Sequence, residues 1–144
     1  MASYKKAITL DATLQNMDRV LNMVEEGLTC AECPQKIVRQ ILVCVEEVFV
    51  NVANYAYKDV VGSCTVRCEV EDVLPDKGNC VIEVKDGGVA FNPLSKEDPD
   101  ITLSAMDRKI GGLGIYMVKK TMDQVTYQYE DGNNILTMIK SFEK

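Results

Sequence analysis

Apolar positions recur along the chain with two periods. Residues 4–10 read as a short strand. Asp11 or Thr13 then stands where a helix cap belongs, and Leu14, Met17, Val20, Leu21 and Val24 recur at helical spacing. Gly27 is read as the end of that helix and residues 28–33 as a loop, and Pro34 suits the first helical position of a second helix. That helix is predicted to run to about Ala56. Ile37, Val38, Ile41, Leu42, Val45, Val48, Phe49 and Val52 cover more than half its circumference, so it is expected to be largely buried. Strands are predicted over about 63–71 and 79–86, joined by a turn from Leu74 to Asn79. Residues 87–111 are rich in Gly, Pro, Asp and Lys, and an irregular stretch of that length in a small domain is usually functional or mobile. Gly111-Gly112-Leu113-Gly114 leads into a helix ending near Met122. Val125, Tyr127 and Tyr129 then alternate with polar residues, a turn follows over Asp131–Asn134, and Ile135–Ile139 returns as a hairpin partner.

Helices cluster early and strands mostly late, with hairpin-type turns. That order predicts an α+β fold, a two-layer α/β sandwich with helices on one sheet face. The chain of 144 residues fits one domain, taken as residues 1–144. At 47% hydrophobic and 26% charged it has the composition of a globular protein. The formal charge of −6 repels phosphate backbones, so nucleic acid is not expected as a direct partner. No run reaches the ~18 apolar residues of a membrane helix, and the start carries no signal-peptide pattern, so a cytoplasmic protein with no membrane contact is expected. There is no histidine. Imidazole bases and His-ligated metals are therefore excluded, and any general base is a carboxylate, lysine, tyrosine or thiolate.

The six cysteines raise the question of zinc or redox chemistry, because Cys30 and Cys33 form a CxxC and Cys64 and Cys68 could complete four thiolates. Strand phase favours a simpler role. Cys64, Val66, Cys68 and Val70 alternate with polar positions, as do Cys80, Ile82 and Val84, so these thiols fall on the apolar face as small core residues.

Three other stretches carry candidate chemistry. Glu47, Asn51 and Asn54 stand at i, i+4 and i+7, within roughly 60° of arc on one helix. They form either a solvated edge or a carboxylate base beside a hard-metal ligand. The apolar neighbours Val43, Cys44 and Val50 weaken the first reading, and the two stay open on this stretch alone. Asp86 stays in phase with Cys80, Ile82 and Val84, so it ends an inward apolar row, where a carboxylate is costly unless it meets a donor such as an exocyclic amine. The alternative is a capped Asp-Gly turn. The glycines at 111, 112 and 114 directly precede a helix. They give either a flexible helix start or free amides at the positive dipole end, suited to phosphate. Arg108 and Lys109 beside them could offset phosphate charge or form a solvated lid.

Taken in order, the stretches at 47–54, 86–93 and 111–115 resemble the N, G1 and G2 boxes of the Bergerat-fold ATPases, the superfamily of gyrase, histidine kinases and MutL. The sequence is most similar to the bacterial anti-sigma factor serine/threonine kinases. Glu46-Glu47-Val-Phe-Val-Asn51-Val-Ala-Asn54-Tyr-Ala-Tyr57, Asp86-Gly-Gly-Val-Ala-Phe-Asn-Pro93 and Gly112-Leu-Gly-Ile-Tyr-Met-Val118 carry the resemblance. It implies the Bergerat fold, with a mixed, mostly antiparallel sheet. It implies ATP and Mg²⁺ as cofactors, with Asn51 as the Mg²⁺ ligand and Glu47 as the catalytic base for an attacking serine or threonine hydroxyl. Asp86 would accept a bond from the adenine amine. Gly88 and Ala90 would shape the adenine pocket, and Asn54 would line the pocket near the phosphates. The stretch 92–110 would be an ATP lid, and the amides of Gly112, Leu113, Gly114 and Ile115 would hold phosphate. The implied partners are a STAS-type anti-sigma factor antagonist and a sigma factor, with pairing as a homodimer. The alternative is a nucleotide-dependent regulatory binding module without useful transfer activity.

Overall fold

The computed structural model describes residues 3–95 and 112–144. Strand β1 (Ser3–Asp11) leads through a 3-10 turn at Leu14–Asn16 into helix α1 (Met17–Cys30). Helix α2 (Gln35–Asn51) follows and continues into a π-helical turn over Val52–Ala56. Strands β2 (Ser63–Leu74) and β3 (Lys77–Asp86) form a hairpin. Helix α3 (Gly112–Thr121) then precedes a second hairpin of β4 (Gln124–Glu130) and β5 (Asn133–Glu143). The strands lie in the order β1-β2-β3-β5-β4. The sheet expected to be mixed and mostly antiparallel is antiparallel at every described pairing. Both hairpins close with short turns, which join only antiparallel neighbours.

Register explains the inward face. Ile8, Val66, Val84, Leu136 and Tyr127 form one row across the sheet, and Cys68, Ile82, Met138 and Val125 continue the next. Against these rows α1 packs Val20, Met23, Val24 and Leu28, and α2 packs Val38, Ile41, Val45, Val48 and Phe49. Cys64, Cys68 and Cys80 lie on this buried face, as their phase predicted, while Cys30 is exposed. Burial pushes the thiol of Cys33 up to about 11 and that of Cys64 up to about 12, the nearby Asp86 adding to the latter. Among the described residues no helix is long and apolar enough to cross a membrane.

Several predicted boundaries move for identifiable reasons. Neither Asp11 nor Thr13 caps α1 with its side chain. The Asn16 side chain instead donates to the Asp11 carbonyl at 2.8 Å, fixing the 3-10 turn that precedes the helix. Gly27 is not a helix stop but lies inside α1, buried under the Tyr4 ring. A Cβ there would stand 2.4 Å from Tyr4 Cδ1. The Tyr4 hydroxyl donates to the Met23 carbonyl at 2.8 Å and holds the ring in place. Pro34 precedes α2 in extended conformation, one position before the helix proper. The second hairpin turns on Asp131 and Gly132 alone, both at positive φ (53° and 79°), so Asn133 and Asn134 belong to β5 rather than to the turn.

Gly27→Ala is expected to lose about 1–3 kcal/mol of stability, because the overpacked ring contact outweighs the ~1 kcal/mol that alanine gains in a helix. A denaturant melt with an unchanged or raised midpoint would contradict the assigned contact.

Candidate functional site

The C-terminal half of α2 is held to the sheet by buried Cys44, Val45, Val48 and Phe49, which leaves Glu47 and Asn51 half-buried on its flank. Of the apolar neighbours expected to shield that stripe, only Cys44 is buried. Val43 is 56% exposed and Val50 half-buried, so the stripe borders solvent on that side. Helix α3 packs alongside α2 at Gly114, where a Cβ would stand 2.2 Å from Glu47 Oε2. The absence of a side chain at 114 therefore lets the glycine-rich helix start meet the carboxylate. Gly112 begins α3, and only the backbone of Leu113 is described. Gly111, Arg108, Lys109 and residues 96–110 of the expected lid lie outside the described residues.

The π turn alters the predicted stripe. It advances less per residue than an α turn, so Asn54 no longer stands directly above Asn51. Asn54 is exposed and lines only the outer part of the cleft, whereas Asn51 lines both parts. The turn also presents the Ala56 carbonyl, which accepts the Val89 N–H at 2.9 Å. Gly88 lies flat against this carbonyl, since a Cβ there would be 2.0 Å from Ala56 O. The loop after β3 is thus stitched to the end of α2.

Asp86 ends the apolar row of β3 as predicted, with only 6% of its surface exposed. Across the sheet it stands between Cys64 on β2 and Asn134 on β5. Its Oδ1 accepts the Gly88 N–H at 2.9 Å and the Asn134 side-chain amide at 3.0 Å. No described residue donates to its Oδ2. The carboxylate therefore takes part in a short turn and also keeps an open acceptor, so the two readings of Asp86 are not exclusive. Tyr57 braces the next residue: its hydroxyl accepts the Gly87 N–H at 2.8 Å and donates to the Ser63 carbonyl at 2.6 Å. Burial raises the pKa of this phenol. The bond from Gly87 opposes that shift and the charge of Asp86 adds to it.

These elements enclose one continuous cleft. An inner slot has apolar walls that include Val48, Val52, Val84 and Leu136, with Asp86 and Asn134 among its polar lining and Asn51 also on it. It opens into an outer recess of about 720 Å³, lined by Asn54, Tyr55, Lys58, Ala90 and Phe91 among others. Asn51, Ile115 and Val89 line both. Glu47 lies one helical turn before Asn51, against Gly114. Sequence reasoning missed Asn134, Tyr127 and Tyr57. The signal for Asn134 lay in phase, because it continues the inward series of Leu136 and Met138 and pairs with Asp86.

An apolar-walled slot with one carboxylate oxygen to which no described residue donates suits a heteroaromatic ring that bears an amine. Glu47 and Asn51 supply hard oxygen donors of the kind Mg²⁺ takes. Among the described residues no three His, Cys, Asp or Glu side chains form a metal-holding group. Mg²⁺ shared with phosphate oxygens needs only one or two protein ligands, so the donor set fits.

The sequence model of the histidine kinase-like ATPase domain matches residues 10–140. This chain belongs to that family. Over 99 residues it is 31% identical to serine-protein kinase RsbW of Bacillus mycoides (strain KBAB4), a stretch covering 65% of this chain and 58% of that protein. It is 30% identical over the same length to serine-protein kinase RsbW of Bacillus cereus (strain AH187), with the same coverage. The match thus spans somewhat more than half the length of these curated relatives. A crystal structure of the RsbU and RsbW domains of Rv1364c from Mycobacterium tuberculosis shares the fold, with a TM-score of 0.67 at 19% identity. That likeness covers 98% of this chain and 33% of the other. The family model agrees with the histidine kinase-containing superfamily that the three boxes resemble.

In a histidine kinase-like ATPase domain with this geometry, Gly88→Ala is expected to be destabilised by about 1–3 kcal/mol, because the new methyl meets backbone rather than a movable side chain. A thermal melt equal to that of the unaltered protein would contradict the Gly88–Ala56 contact.

Proposed function

We propose that the chain is a single ATP-binding unit that acts as a protein serine/threonine kinase. It would phosphorylate a STAS-type anti-sigma factor antagonist and sequester a sigma factor, as a cytoplasmic homodimer. The observation that supports this best is that Asn51, Asp86 and Ile115 line one cleft, with Glu47 one turn from Asn51 and against Gly114. The serine-protein kinase relatives support the reaction class.

Asp86 Oδ2 would accept the exocyclic amine of adenine, and the apolar walls of the slot would stack on the ring. Gly88 would shape the pocket by holding the loop against Ala56, and Ala90 would border it from the outer recess. The first amides of α3, from Gly112 to Ile115, would receive phosphate oxygens at the positive end of the helix dipole. Asn54 would stand near the phosphates from the outer recess. Asn51 would hold Mg²⁺ through its side-chain oxygen. When bound, the ion supplies charge neutralisation across the phosphates. Glu47 would orient the incoming serine or threonine hydroxyl and take its proton as the oxygen attacks the γ-phosphorus and the bond to the β-bridging oxygen breaks. Phosphoryl transfer asks for positioning and charge neutralisation more than covalent catalysis, and a histidine-free site can provide both.

Transfer of labelled phosphate from ATP to candidate STAS-type proteins tests the proposal. Glu47→Gln keeps the shape of the side chain but cannot take the proton, so transfer is expected to fall by about 10²–10⁴-fold with ATP still bound. Equal transfer by the wild type and Glu47→Gln would overturn the role given to Glu47. ATP binding without transfer to any candidate would favour a nucleotide-dependent regulatory module.

A further inference from the structure

We propose that Asn134 is a positioning residue that sets the base selectivity of the cleft, acting through Asp86. The inference rests on the reading of Asp86 as the base acceptor and extends it to a residue that touches no reacting atom.

Asn134 is 7% exposed and uses its whole hydrogen-bonding capacity. Its Nδ2 donates to Asp86 Oδ1 at 3.0 Å and to the Val89 carbonyl at 2.9 Å. Its Oδ1 accepts the Phe91 N–H at 3.0 Å and the Tyr127 hydroxyl. A backbone carbonyl can only accept and a backbone N–H can only donate, so these neighbours admit the amide one way round. Its donor end always faces Asp86. The side chain also imitates a strand, since it pairs with the carbonyl of residue 89 and the N–H of residue 91. It therefore fixes the loop beside Asp86 as well as the carboxylate itself.

The consequence is chemical. Oδ1 of Asp86 is saturated by Asn134 and Gly88, and both Nδ2 protons of Asn134 are engaged. Among the described residues this pair leaves one acceptor open, Asp86 Oδ2, and no donor from the Asn134 amide. A purine with an amine at its six-position meets that acceptor with a proton. A purine with an oxo group there meets it with a lone pair, and a buried mismatch of this kind is strongly rejected. Without Asn134 the carboxylate loses the donor that fixes its rotation, and the distinction between amine and oxo weakens. The Tyr127 hydroxyl supports the same orientation from the other end of the amide.

Calorimetric titration with Mg·ATP and Mg·ITP, which differ at the six-position, provides the test. The wild type is expected to favour ATP by about a hundredfold or more. Asn134→Ala is expected to reduce that ratio by about tenfold, and Tyr127→Phe by about threefold, chiefly through loss of ATP affinity. If Asn134→Ala does not fold, Tyr127→Phe decides alone, because it removes a single hydroxyl. Variants that weaken ATP and ITP alike, leaving the ratio unchanged, would show that Asn134 serves packing only and overturn the proposal. Equal wild-type affinity for the two nucleotides would overturn the selectivity and leave ATP binding standing. A wild type that binds neither would overturn the reading of the cleft itself.

Discussion

The arrangement depends on one buried carboxylate. Asp86 stands at the end of an otherwise apolar strand row, where an unsatisfied charge would cost several kcal/mol. The chain meets that cost with the Gly88 N–H from the following turn and the Asn134 amide from the neighbouring strand. Both donors require particular backbone paths. Gly88 must lie flat on the Ala56 carbonyl, which a π turn at the end of α2 presents. Asn134 must stand opposite Asp86, which the pairing of β3 with β5 along their shared buried face secures. Satisfying one side chain therefore links the long helix, the loop after β3 and the last hairpin.

The glycines at 88 and 114 act in one manner. Each removes a side chain where two parts of the cleft have to touch, the loop against α2 in one case and α3 against Glu47 in the other. The phosphate binding proposed at Gly114 would make the same demand as close approach, so a single residue type would serve both the packing of the helices and the chemistry proposed for them.

Much of the fold was legible from periodicity. The strand phases identified the buried face, including Cys64, Cys68 and Cys80, and the inward position of Asp86 followed from counting by twos along β3. The misreadings came where tertiary contact overrides a local preference. Gly27 reads as a helix stop because glycine so often is one, yet it lies within α1 because the Tyr4 ring occupies the space of its missing side chain. Asn54 reads as part of the Glu47 stripe at α-helical spacing, and the π turn moves it to the outer recess. Asn134 reads as a turn residue by type, while its partner lies 48 positions away on another strand. Such pairings depend on register, which no local window of sequence contains.

Three distant stretches are proposed to fold around one adenine nucleotide. A crystal structure with Mg²⁺ and a non-hydrolysable ATP analogue tests it most directly. The base amine is expected within hydrogen-bond distance of Asp86 Oδ2, the Asn51 side-chain oxygen on the metal, and phosphate oxygens on the first amides of α3. A nucleotide seated elsewhere, or in the cleft with its base away from Asp86, would contradict it.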